Sequence, residues 1–285
     1  MNRCRASTGS YPYGADMRIA TWNLLHAIPL LGHAQPTSLG EQAQLLNADV
    51  IALQEVDRDQ ERSGNQHQVR DVAEALGLDY WYFIPALVGT PGESWVAAHD
   101  GQIHSNEHGD ESEGAHYGIG LASRYPLSNV EVLRFPAARM SLPLLVPSPK
   151  GPRVMLVEDE PRVALLATVA TPGGPIALAT AHLSFVPGVN VRQLRKVADA
   201  LGKRSGRKIL LGDFNLPGGI PRRVTGWDTM AKLATYPTMK PRIQFDHVLG
   251  QGWNSATVTY AKGSAQAYPL GLSDHCALVV ELPSY

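Results

Sequence analysis

The chain has 285 residues, 44% of them hydrophobic, and its 25 Lys+Arg against 26 Asp+Glu give a formal net charge of −1. That length and apolar content suffice for a large core. The even charge balance argues against affinity built on neutralising a phosphate backbone, which calls for a basic excess or stripe.

Residues 1–16 (MNRCRASTGSYPYGAD) are polar and lack the apolar stretch of a usual signal peptide, so a flexible N-terminal tail is expected there. No run approaches the roughly 18 apolar residues of a membrane-spanning helix. Cys4 and Cys276 are the only cysteines. They offer no disulfide framework and fit a reducing cytoplasm, where a monomer is expected.

Residues 17–285 show no linker or composition break and are read as a single catalytic domain. In chain order, strands are predicted at MRIATWNLL, ADVIALQEV, DYWYFIPAL, YGIGLASRYPL, NVEVLRF, RVALLATVA, PIALATAHL, KILLGDFN, FDHVLG, SATVTYA and HCALVVEL. Helical spacing appears in SLGEQAQLLNA, VRDVAEALG and NVRQLRKVADALG, the last with Asn190 at the N-cap and Gly202 at the C-cap. The basic stretch Arg192–Arg207 falls on that helix and its end, where a solvated face accounts for it. So many strands with so few helices predict two β-sheets packed face to face, helices outside. Residues 86–115, rich in Gly, His and acids, and proline-rich 136–161 read as long loops. The histidine spacing of the first matches no closed tetrahedral zinc pattern.

Several predicted strands end in groups suited to phosphate and magnesium chemistry. Glu55 follows the apolar run VIAL, and Asn23 ends another such run. A magnesium ion keeps several waters, so one or two carboxylates plus an amide oxygen suffice to hold it. Asp57 shares the face of Glu55 if its strand continues, as a supporting group or a surface one. In ILLGDFN, Asp213 and Asn215 share a face; an Asp near metal and histidine can orient water, and an Asn amide can donate to a developing oxyanion. His182 and His275 each lie at an apolar strand elsewhere, with Asp274 beside His275 and Asp246 in a separate strand. A carboxylate bonded to one imidazole nitrogen fixes the tautomer and raises the pKa. Arg162 opens its strand either toward the site or as an ordinary edge residue.

Taken together, TWNLL, LQEVD, HYGIGLASRYPL, TAHLS, LGDFN, FDHVL and LSDH resemble the endonuclease/exonuclease/phosphatase (DNase I-like) superfamily, over roughly residues 17–283. The resemblance implies an α/β four-layer sandwich, two mixed sheets face to face with helices on the outside, and Mg²⁺ or Mn²⁺ at one end. By motif position it implies metal-site roles for Asn23, Glu55 and Asp274, and catalytic roles for His182, Asp213, Asn215, Asp246 and His275. Tyr117 and Arg162 fall where substrate contacts are expected. The histidine in TAHL disfavours the apurinic-endonuclease branch. The expected activity is metal-dependent hydrolysis of a phosphate ester, small or lipid-derived, with a DNA or RNA nuclease as the alternative and a non-catalytic module less favoured. An apolar rim of Leu142, Leu144, Leu145 and Val146 would point to a lipid-like substrate.

Overall fold

The computed structural model describes residues 16–29, 38–106, 114–146 and 153–283. The predicted tail, Asp16 excepted, lies outside the described residues. In chain order the elements are β1 (Met17–Asn23), a 3₁₀ turn (Leu25–Ala27), α1 (Leu39–Gln44), β2 (Val50–Arg58), a second 3₁₀ turn (Glu61–Ser63), α2 (Gln68–Leu76), β3 (Tyr80–Gly89), β4 (Trp95–Ala97), β5 (His104–Ser105), β6 (His116–Ser123) and β7 (Leu127–Phe135). Then come β8 (Ser141–Val146), β9 (Arg153–Glu158), β10 (Arg162–Thr171), β11 (Gly174–His182), α3 (Val189–Gly202), β12 (Arg207–Asp213) and α4 (Ile220–Thr225). The last are β13 (Asp228–Thr229), β14 (Asp246–Gln251), α5 (Ser255–Ser264), β15 (Gln266–Tyr268) and β16 (Ala277–Leu282).

One sheet runs β15-β16-β1-β2-β6-β3-β4, with β5 on β3; the other runs β13-β14-β12-β11-β10-β7. Each is antiparallel except for one pair near its centre, β1/β2 in the first and β11/β12 in the second. Strand alternation builds the layers. In β2, Val50 and Ala52 point into a core shared with Leu178 of β11 and Leu211 of β12, while Ile51 and Leu53 point outward to Val69 and Val72 of α2. In the second sheet Leu210 and Ala179 face outward onto Leu194, Val197 and Leu201 of α3. The order is thus helices, sheet, sheet, helices, as the sequence predicts.

The capping chemistry of α1 follows the local sequence. Ser38 accepts from the Glu41 N–H while the Glu41 carboxylate accepts from the Ser38 N–H, a reciprocal capping box. For α3 the structure corrects the predicted ends. Gly188 is its N-cap and Lys203 its C-cap. Asn190 lies in the first turn, where its side chain accepts from Gly188 N–H and donates to the Asn215 carbonyl.

Other departures have local causes. SATVTYA forms helix α5, not a strand: its β-branched residues suggest a strand, but Asn254 caps the Thr257 N–H and buries Val258 and Ala261 three apart. YGIGLASRYPL breaks after Ser123 into two strands. The expected 86–115 loop contributes β4 and β5, and His104 and His116 in this region are buried. The proline-rich 136–161 stretch forms a two-stranded ribbon, β8 against β9, separate from both sheets.

Gly212 carries the close approach that the second sheet needs. It sits opposite Ala181 at φ +137, and a Cβ there would lie 2.1 Å from the Ala181 carbonyl oxygen. Because backbone cannot yield as a side chain can, Gly212→Ala should destabilise the fold by more than about 2 kcal/mol in chemical denaturation. Stability within ~0.5 kcal/mol of the parent would contradict this account of the strand pair.

Candidate active site

The two central parallel pairs run in register to one end of the sandwich, and their ends carry the polar groups. On the second sheet, register sets His182 directly opposite Asp213, and Asp213 directly opposite Asp246. Arg162 opens β10, the next strand along. On the first sheet, His275 precedes β16, Asn23 ends β1, Glu55 lies in β2 and Tyr117 in β6, again four neighbouring strands. Two rows therefore face each other: His275, Asn23, Glu55, Tyr117 against Asp246, Asp213, His182, Arg162.

The rungs between the rows are short. His275 Nδ1 lies 2.8 Å from Asp246 Oδ2, and its Nε2 is 3.9 Å from Asp213. Asn23 Nδ2 donates both to Asp213 Oδ2 and to Glu55 Oε1, each at 2.9 Å. His182 Nε2 is 3.7 Å from Glu55 and 3.8 Å from Asp213. Tyr117 and Arg162 interact electrostatically at the fourth rung. Asn215 stands beside the second row, its N–H donating to Asp213 and its side chain to the Leu183 carbonyl.

Glu55 reaches the row through a bulge. The β2–β6 register shifts between Leu53 and Val56, and Glu55 adopts φ +53. One extra residue reverses the alternation, so Val56 joins Ile51 and Leu53 in the outward core. With Val56 turned outward, Asp57, paired with Tyr117, lies on the face of Glu55. Asp57 is fully buried and accepts two hydrogen bonds from Arg62, at 2.9 and 2.7 Å.

Burial and neighbours separate the charges. Burial raises the Glu55 carboxyl, but His182, His26 and the Asn23 hydrogen bond outweigh it and hold the pKa at about 2. Burial, reinforced by cationic Arg162, lowers His182 to about 3. A neutral His182 lends Glu55 no charge at neutral pH, but the Asn23 hydrogen bond and cationic His275 remain, and the carboxylate is ionised either way. His275 behaves oppositely: burial lowers it, but the Asp246 carboxylate wins and raises it well above the usual range. Asp213 is pushed up to about 7 by burial and Asp246, against the pull of His275. Burial likewise lifts Asp274 to about 6.

All ten predicted site residues lie at this end of the sandwich, but not in the same way. Asn23 turns its amide nitrogen to the carboxylates, while its oxygen accepts from Leu25 N–H; it joins Glu55 to Asp213 and does not offer them an oxygen. Ligand atoms of Glu55, His182 and Asp213 lie within 4.8 Å of one another, as do those of Asp213, Asp246 and His275. Asp274 belongs to neither group. Arg162 donates to His182 and to Asp159, so it points into the site. Four neighbours escape sequence reasoning: His26, Arg62, Glu160 and Asn190. Their only signal is proximity, of His26 to TWNLL, Arg62 to LQEVD, Asn190 to HLS and Glu160 to Arg162, where such polar residues look like ordinary turn residues.

A two-sheet α/β sandwich with carboxylates and imidazoles gathered at one end defines a DNase I-like protein. The chain belongs to the Endonuclease/Exonuclease/phosphatase family, whose profile matches residues 20–275. Proteins of this family are generally hydrolytic and commonly use divalent metals. Among solved structures it is similar to an endonuclease/exonuclease/phosphatase from Beutenbergia cavernae (18% identity, 94% of this chain and 72% of that one, TM-score 0.55). It is also similar to a family protein from Leptotrichia buccalis (15%, 93% and 99%, TM-score 0.59). A third is D. rerio TDP2 complexed with a single-strand DNA product (16%, 94% and 98%, TM-score 0.51). At these identities the likeness concerns the fold. No curated protein matches.

His247, next to Asp246, gives a test of the electrostatics away from the rows. Its Nε2 is 2.8 Å from the Leu216 carbonyl and its ring stacks on Phe214. Burial lowers its pKa to about 4, although the Leu216 hydrogen bond opposes this. The folded state then binds fewer protons than the unfolded state between about pH 6.5 and 4, so this contribution is lost as pH falls through that window. The loss at pH 5 is on the order of 2 kcal/mol. His247→Gln keeps a donor for Leu216, so its stability should decline less than the parent's between pH 7 and 5. Parallel declines in denaturation midpoints would refute the buried neutral histidine.

Proposed function

We propose that the protein is a divalent-metal-dependent phosphoesterase that hydrolyses a phosphodiester or phosphomonoester by in-line attack of water. The supporting observation is the pair of carboxylates, Glu55 and Asp213, drawn from opposite sheets onto one amide, Asn23, beside the Asp246–His275 pair. The donor set fits a hard cation: Glu55 is a permanent anion at neutral pH, and Asp213 adds oxygens within reach. Glu55 would hold Mg²⁺ or Mn²⁺ with Asn23 adjacent and Asp274 flanking. When bound, the ion would neutralise phosphoryl charge and stabilise the leaving oxygen.

The chain's own groups divide the remaining work. Asp213, with its raised pKa, orients water and takes its proton near neutrality. His275, kept cationic by Asp246, donates Nε2–H to a phosphoryl oxygen. Asn215 and neutral His182 add uncharged donors, and Arg162 with Tyr117 closes the far side of the phosphate.

A small or lipid-derived ester is favoured over nucleic acid by what flanks that far side. The β8–β9 ribbon exposes Val154, Met155 and Leu156 at 71, 52 and 72%. Its base is tied to the site, since Asp159 accepts from Ala138 N–H, Ser184 Oγ and Arg162. Val154 and Leu156, two apart on the strand, share one face of the ribbon and mark it as a surface for an apolar partner. The predicted rim is seen only at Leu142, which is half-buried; the side chains of Leu144, Leu145 and Val146 lie outside the described residues. Between ribbon base and α3 lies a cavity of about 410 Å³, with Met140, Val186 and Val189 beside Arg139, Arg192 and Lys196. That lining suits an apolar group carrying negative charge. Among the described residues no helix is long and apolar enough to cross a membrane.

With Mg²⁺, the protein should hydrolyse bis(p-nitrophenyl) phosphate or p-nitrophenyl phosphate in preference to plasmid DNA or RNA, and EDTA should abolish turnover. Cleavage of nucleic acid alone would move the reading to a nuclease; full activity in EDTA would remove the metal. Glu55→Gln should shift metal dependence to much higher concentrations. His275→Ala and Asp246→Asn should each lower kcat by roughly a hundredfold or more, and the double variant little further, because the two act as one unit. Additive losses would dissolve the dyad.

A further inference from the structure

Beyond the fourth rung lies a second ordered histidine. Leu25, His26 and Ala27 take φ values of 44, 60 and 56, three successive non-glycine residues in the left-handed region. Such strain persists only where surroundings enforce it. Here Gln68, fully buried, donates to the His26 carbonyl at 2.6 Å and accepts from Asp57 N–H at 2.8 Å.

The His26 ring is held as firmly as its backbone. Arg62, fixed by two hydrogen bonds to Asp57, sends a third N–H toward His26 Nδ1 at 3.1 Å. Asp57 Oδ1 is farther from the same nitrogen, at 3.4 Å. A guanidinium has no lone pair to offer, so in this shorter contact Nδ1 accepts and the proton sits on Nε2; an Nδ1–H aimed at Asp57 is the competing tautomer, served only by the longer distance. The ring packs against Tyr117 at 5.3 Å between centroids, and the Arg62 guanidinium lies 5.7 Å from the same ring. Its Nε2 makes no hydrogen bond among the described residues, and the side chain is 13% exposed. His26 also acts electrostatically on Glu55, Glu160 and His182, which places it at the cleft.

Sheet order says which part of a substrate it meets. The first row runs from His275 at β16 to Tyr117 at β6, three strand spacings or roughly 14 Å. If water is activated at the Asp213–His275 end, in-line geometry sends the leaving oxygen toward Tyr117, where His26 waits. Resting on the phosphoesterase reading above, we propose that His26 is a specificity-determining residue whose Nε2–H donates to an oxygen carried by the leaving alcohol. A hydroxylated or anionic alcohol supplies such an acceptor; a plain phenol beyond its ester oxygen does not. Losing one neutral hydrogen bond corresponds to roughly a three- to tenfold effect.

Glycerol 1-phosphate and phenyl phosphate provide the comparison. His26→Phe keeps a ring against Tyr117 without the donor, and His26→Gln keeps a donor. The ratio of kcat/KM for the glycerol ester over the phenyl ester should fall three- to tenfold in the first variant and recover in the second; an unchanged ratio in His26→Phe overturns the proposal. Imidazole ¹⁵N spectra of the full chain at pH 7 read the geometry without turnover. They should show the Nε2–H tautomer of His26, with its resonance shifting on addition of glycerol 1-phosphate. An Nδ1–H tautomer, or no shift, overturns the proposal as well. Failure of the parent to hydrolyse any ester, with the resonance shift present, sinks the phosphoesterase reading and leaves the His26 contact standing.

Discussion

One side-chain amide joins the two sheets where the chemistry is concentrated. Asn23 Nδ2 donates to Glu55 of its own sheet and to Asp213 of the facing one. Two buried or half-buried carboxylates so close would repel strongly without a shared donor. The amide therefore fixes their spacing, and everything else at this end is arranged around that span. Asn23 is itself oriented from behind, since its oxygen accepts from Leu25 N–H and its carbonyl from Ser273 Oγ. Ser273 also accepts from His275 N–H, so one hydroxyl couples the Asn23 strand end to the His275 loop.

The charges along the rows are sorted by how each is compensated. Asp246 is fully buried, and its Oδ1 has no hydrogen-bond partner among the described residues. Such a carboxylate is tolerable because His275 faces it as a cation. His182, equally enclosed but beside Arg162, is neutral instead. Two histidines at similar strand ends thus differ in charge at neutral pH: carboxylates, Asp246 foremost, overcome burial for one, while a guanidinium reinforces it for the other. This is how one cleft presents both a charged and an uncharged imidazole.

Much of this was legible in the sequence because strand ends announce themselves. An apolar run closing on Asn23, Glu55, His182 or Asp213 predicts both the strand and the edge of the sheet where the polar group emerges. The alternation that buries Val50 and Ala52 toward one core and Ile51 and Leu53 toward the other is equally readable. What could not be read depends on contacts distant in sequence. The bulge at Glu55 reverses alternation without a glycine or proline to mark it, so the turn of Val56 to the outer core is not readable. The ribbon 141–158 hides behind prolines that normally signal loops, and α5 hides behind β-branched residues. His26 and Arg62 look like turn residues until Asp57, Gln68 and Tyr117 are brought beside them.

The rungs also constrain the order in which the protein can become competent. Asn23 and Asp213 are 190 positions apart, and His275 meets Asp246 only after β14, α5 and β15 have been traversed. Contacts of such long sequence separation form late and slowly, because loop closure must precede any gain from them. A partly synthesised chain can complete its first sheet's β1–β2 pair early, yet it gains cross-sheet rungs only after β11 and β12, and the His275–Asp246 rung last of all. Hydrolytic potential would then be withheld from the nascent polypeptide until β16 docks beside β1, and the last strand to arrive would be the one that arms the site.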